Sequence, residues 1–165
     1  MKIVVLIGTS HIFRRPKSTG AYEFLSFIEH VCNVFNILAI GEEMSLEGLL
    51  ENNESQSVSE QFANIRNLPH RYCDPDSSER KLLGVRQGSE IEGVGFLGNW
   101  SQEKIEREIK ESYAIRERCW LERLAELDAW PVLFICGANH IQSFSSLLAS
   151  NGFQIHIAAK DWEPN

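Results

Sequence analysis

Two stretches of the chain are apolar at every position. Ile3-Val4-Val5-Leu6-Ile7 and Val132-Leu133-Phe134-Ile135-Cys136 leave no polar side to face water. Each therefore predicts a strand covered on both faces, as in the middle of a parallel sheet. Shorter runs predict further strands at 37–41, 70–74 and 153–158, the one at 70–74 stopped by Pro75. Between the first two strands, Tyr22, Leu25, Ile28, Cys32 and Phe35 recur at helical steps. Residues 45–67 read as helix in pieces around a loop at 52–59. Ser77-Ser78-Glu79-Arg80 starts a short helix, and 102–127 is the longest helical segment. Ile141, Phe144, Leu147 and Leu148 mark a last helix, stopped at Asn151-Gly152. Residues 84–98 carry five glycines and no clear period, which predicts a mobile loop or irregular insert.

Strand alternating with helix predicts an α/β fold: one domain over 1–165, a mostly parallel sheet of four to five strands, and helices on both faces. Ligands in such sheets sit at the carboxyl ends of the strands. His11, Glu42, Glu43, Asp74 and His140 all follow strand ends, so four strands deliver ionisable groups to one edge.

The net charge of −7 disfavours a nucleic-acid partner. The basic run Arg14-Arg15-Pro16-Lys17 reads as a solvated turn. Cys32, Cys73, Cys119 and Cys136 show neither zinc-ribbon nor C-x-x-C spacing, which fits a reducing compartment. No run reaches membrane length. These features predict a cytoplasmic protein with no membrane partner, and they leave homo-oligomer formation open.

The candidate chemistry starts with two matching turns, Gly8-Thr9-Ser10-His11 and Gly137-Ala138-Asn139-His140. Glycine there lets the chain turn tightly or lets another group approach the backbone. Imidazole can bind a divalent metal or move a proton near neutral pH. Glu42 or Glu43 could polarise water or complete a metal site, although paired acids also suit a helix N-terminus. Asp74 and Arg80 are candidates for substrate binding, with a turn and helix cap as the plain alternative for Asp-Pro-Asp-Ser. On a continuous helix Arg116 shares a face with Ile105, Ile109, Trp120 and Leu127, so it points to the core and needs an anionic partner or substrate. His30, His70 and His156 read as packing or surface residues.

In this order the motifs resemble the TraB/PrgY-like and Tiki clan, which includes erythromycin esterases and ChaN-like haem-binding proteins. The resemblance rests on Gly8-Thr9-Ser10-His11, Glu42-Glu43, Ile115-Arg116-Glu117-Arg118 and Gly137-Ala138-Asn139-His140. The chain is shorter than typical members, with a reduced middle helical region. The resemblance implies a site rather than a substrate; the reading it supports first is a hydrolase that activates water for ester or peptide hydrolysis of a small-molecule or peptide substrate. Catalysis would lie with His11, Glu42, Glu43, Arg116 and His140. A divalent metal on His11, Glu43 and His140, or no cofactor, fits equally. The alternative is a non-catalytic small-ligand or haem-binding protein, or a regulatory protein, with the same pocket.

Overall fold

A computed structural model describes residues 2–164. Five strands form one sheet in which every neighbouring pair is parallel: β1 (Ile3–Thr9), β2 (Ala39–Glu42), β3 (His70–Tyr72), β4 (Val132–Gly137) and β5 (Gln154–Trp162). Their order is β3-β2-β4-β1-β5. The helices are α1 (Ala21–Phe35), α2 (Leu46–Glu51), α3 (Val58–Arg66), α4 (Ser77–Leu83), α5 (Gly88–Leu97), α6 (Gln102–Ala125) and α7 (Ile141–Ser150).

The two fully apolar runs are β1 and β4, and they lie side by side with Thr9 opposite Gly137. Successive strand residues point to opposite faces. Val5, Ile7, Ile40, Leu133 and Ile135 pack against Phe24, Ile28 and Val31 of α1 and Phe62 of α3. Val4, Leu6, Ala39, Val132 and Phe134 pack on the other face against Trp120 and Leu124 of α6 and Phe144 and Leu148 of α7. Tyr22, expected on the apolar stripe of α1, faces solvent, because the buried stripe runs through Ala21, Phe24, Ile28 and Val31.

The connection from β1 to β2 passes β4 in one direction, and that from β4 to β5 passes β1 in the other. The carboxyl ends of β1 and β4 therefore flank the point where the winding reverses, the place where open α/β sheets hold ligands.

A further expectation fails. Residues 84–98 are not an irregular insert, since most of them form α5. At its start the backbone N–H of Gln87 donates to Glu90 Oε2 at 2.9 Å. Gly95 earns its place by contact: a Cβ there would lie 2.7 Å from Ile105 Cγ1. Glycine counting reads such a segment as loop, whereas here the glycine admits a neighbouring helix. Among the described residues no helix is long and apolar enough to cross a membrane.

Candidate functional site

A cleft of about 700 Å³ opens at the carboxyl edge, lined by His11, Glu43, Asp74, Arg80, Arg116 and His140 among others. His11, Glu43, Asp74 and His140 were expected at that edge and Arg80 and Arg116 as further candidates, and Glu43 lies at the centre of the group. Glu43 follows β2 and is almost wholly buried. Its Oε1 accepts from Arg116 Nη2 at 2.6 Å, and its Oε2 accepts from the backbone N–H of Gly137 at 2.6 Å. The two imidazoles flank the same oxygen, with His11 Nε2 at 3.9 Å and His140 Nε2 at 3.6 Å from Oε1.

The glycines of the two turns admit neighbours rather than supply unusual dihedrals. A Cβ on Gly137 would lie 3.2 Å from Glu43 Oε2, so the bare glycine lets the carboxylate reach the backbone N–H. A Cβ on Gly8 would lie 2.1 Å from the carbonyl oxygen of Lys160, where β5 presses against β1. His11 then opens a short 3₁₀ turn, His11–Arg14, and His140 closes another, Ala138–His140.

Arg116 lies on α6, buried as its helical position predicts. Besides Glu43 it donates through Nε to Asp74 Oδ1 at 2.9 Å, and Trp120 Nε1 donates to the same oxygen at 2.8 Å. Arg80 Nη1 stands 3.8 Å from Asp74 Oδ2 and donates to the carbonyl of Pro75 at 2.7 Å. Burial by itself would raise the Glu43 pKa, but Arg14, Arg116 and the two histidines outweigh it and hold the carboxyl at about 2. Asp74 is raised, chiefly by burial. Burial would lower Arg116, yet Asp74 and Glu43 more than offset it.

Glu42 does not join the cleft. It is the last residue of β2, two places after Ile40, so it points to the α1/α3 face. There His70 Nε2 lies 2.8 Å from its Oε1, and Ser57 Oγ donates to the same oxygen. The tandem acids are thus divided by strand alternation, and the choice between them falls on Glu43. His70, read as a packing or surface residue, is the buried partner of Glu42.

Two residues of the site escaped the sequence reading. Arg14, assigned to a solvated turn, is fully buried. It donates through Nη1 to the carbonyl of Glu43 at 2.6 Å, and its Nη2 lies 2.5 Å from His11 Nδ1. The available signal was its place three residues after His11, one helical turn away. Glu117 is the other. Next to Arg116 on α6 and buried, it meets His140 Nδ1 at 2.8 Å and accepts from Ser143 Oγ at 2.6 Å. No periodicity argument singles out an acid on a helix that carries so many.

The donor set does not suit the expected metal on His11, Glu43 and His140. Both Glu43 oxygens already accept short hydrogen bonds, and a divalent cation there would face two guanidinium groups. Among the described residues no group of three or more His, Cys, Asp or Glu side chains is arranged to hold one ion. The arrangement suits proton transfer, with imidazoles beside a carboxylate that stays ionised.

Comparison with family models, with curated proteins and with solved structures finds no match for the chain.

Proposed function

We propose that the chain is a metal-independent hydrolase of carboxylic esters, of the erythromycin-esterase type within the TraB/Tiki resemblance. The observation that carries this reading is the approach of both histidine Nε2 atoms to a single ionised oxygen, Glu43 Oε1, on the wall of an open cleft. A water placed among these groups has an imidazole to take its proton and a fixed negative charge to stabilise the imidazolium that forms. Arg116 is spent on Glu43 and Asp74, so its part is to hold those acids in place rather than to grip an anionic substrate. An ester fits better than a peptide. Its alkoxide leaves more readily than an amide nitrogen, and with both Glu43 oxygens taken by hydrogen bonds the site offers acid–base groups as its means of catalysis.

The test is hydrolysis of a panel of aryl esters, alkyl esters, lactones and peptides by protein dialysed against a chelator. Ester turnover that survives chelation and falls about 10²–10⁴-fold in His140→Ala supports the reading. No ester turnover, or turnover only with added divalent metal, overturns it.

A further inference from the structure

The two histidines share a motif but not their neighbours, and the neighbours decide where each ring carries its proton. A guanidinium has only N–H donors and nothing that accepts. Since Arg14 Nη2 lies against His11 Nδ1, that nitrogen must be the bare one, and the proton of the neutral ring sits on Nε2. The Nε2–H faces Glu43 Oε1. A second proton on Nδ1 would meet Arg14 head-on. The Arg14 guanidinium is the main cause that lowers this exposed ring from an ordinary 6.5 to about 4, with Glu43 opposing.

His140 is connected in the opposite sense. Its Nδ1 faces Glu117 Oε1 at 2.8 Å, an oxygen that also accepts from Ser143. Nδ1 therefore carries the proton of the neutral ring, and Nε2, which borders the cleft 3.6 Å from Glu43 Oε1 and outside hydrogen-bond reach of it, keeps its lone pair. The rings of Tyr113 and Trp120, with centroids 3.9 and 4.7 Å away, clamp the imidazole in that orientation.

We infer that the two histidines are not interchangeable: His140 takes the proton from water, Glu117 is the positioning residue that aims it, and His11 stays a neutral N–H donor to the substrate's carbonyl oxygen. This rests on the hydrolase reading above. In the first step the water O–H bond breaks, its proton goes to His140 Nε2, and the oxygen bonds the acyl carbon. The carbonyl π pair moves onto its oxygen, which accepts from His11 Nε2–H. In the second step that pair returns, the bond to the alkoxy oxygen breaks, and His140 gives its proton to the departing oxygen. Ester and water become acid and alcohol, and His140 is restored. Between the two steps the His140 imidazolium lies between Glu117 and Glu43, whereas an imidazolium at His11 would lie against Arg14. Arg14 thus assigns the roles.

Long-range ¹⁵N–¹H correlation spectra of the whole ¹⁵N-labelled protein at neutral pH read the tautomers without a substrate. His→Gln variants assign the five histidines. The expected result is His11 protonated at Nε2 and bare at Nδ1, with His140 protonated at Nδ1. Glu117→Ala should move His140 toward the Nε2–H form, and Glu117→Gln, whose carbonyl still accepts, should keep Nδ1–H. The wild-type spectrum decides even where a variant fails to fold. The same tautomer on both rings, a His11 that is doubly protonated at neutral pH, or a His140 tautomer indifferent to Glu117→Ala in folded protein overturns the assignment of roles. Ester hydrolysis could survive any of these results, so this failure is distinct from failure of the hydrolase reading.

Discussion

Glu42 and Glu43 are neighbours in sequence, and both are buried carboxylates with depressed pKa values, yet they belong to different kinds of network. For Glu42, burial pulls the pKa up and the hydrogen bonds of His70 and Ser57 bring it down. That network is sealed between β2, β3 and α3, and Glu42 is not among the residues that line the cleft. For Glu43 the opposing groups are two guanidiniums and two imidazoles, and it borders a cleft a ligand could enter. Burial and a shifted pKa therefore do not mark a site by themselves. What separates the two acids is access, and one step of strand alternation sets it.

The largest expected effect comes from breaking the open network at its shared cation. Arg116→Ala leaves Glu43 and Asp74 without their common donor and should cost about 3–5 kcal/mol in urea unfolding. A loss below 1 kcal/mol would mean that the acids find other partners. Breaking the closed network should cost less. Glu42→Ala strands Ser57 and His70 and should cost about 1–3 kcal/mol, read in the same experiment.

Acid should separate two groups of the open network by their pH windows. Glu43 sits at about 2 when folded against an ordinary 4.5. Its contribution to stability is therefore complete above pH 4.5 and is lost as pH falls toward 2, because the unfolded chain takes up the proton first. His11, at about 4 against 6.5, adds an earlier decline as pH falls from 6.5 toward 4, with the same sign. Thermal melts across this range should show the lower decline flattened in Glu43→Gln and the upper one flattened in His11→Gln. Unchanged slopes would contradict the assigned origins.

The smallest effect concerns a residue outside both networks. Gly93 lies within α5, and nothing stands within 4 Å of the position its Cβ would take. Gly93→Ala should stabilise the protein by about 0.5–1 kcal/mol without touching either acid. Destabilisation would argue against α5.

How far the sequence discloses this arrangement depends on the physics each residue uses. β1 and β4 were legible because an unbroken apolar run has nowhere to go but a covered sheet. Arg116 was legible because helical periodicity places a charge among Ile105, Ile109 and Trp120. Glu42 and Glu43 could not be separated in advance, because a shift of one residue in where β2 ends exchanges their faces. Arg14 was hidden for a different reason. A basic run next to proline normally describes a solvated turn, and only the path of the chain after β1 turns this guanidinium inward between His11 and Glu43. Glu117 depends on α6 and α7 packing together, a long-range contact that local pattern does not encode.

The most direct measurement compares ester hydrolysis by Glu42→Gln and Glu43→Gln, on the best ester of the panel and with folding of each variant verified. The account predicts wild-type kcat/KM for Glu42→Gln and a loss of about 10²-fold or more for Glu43→Gln, whose charge supports the proton transfer. Equal losses in the two variants, or full activity in Glu43→Gln, would contradict it.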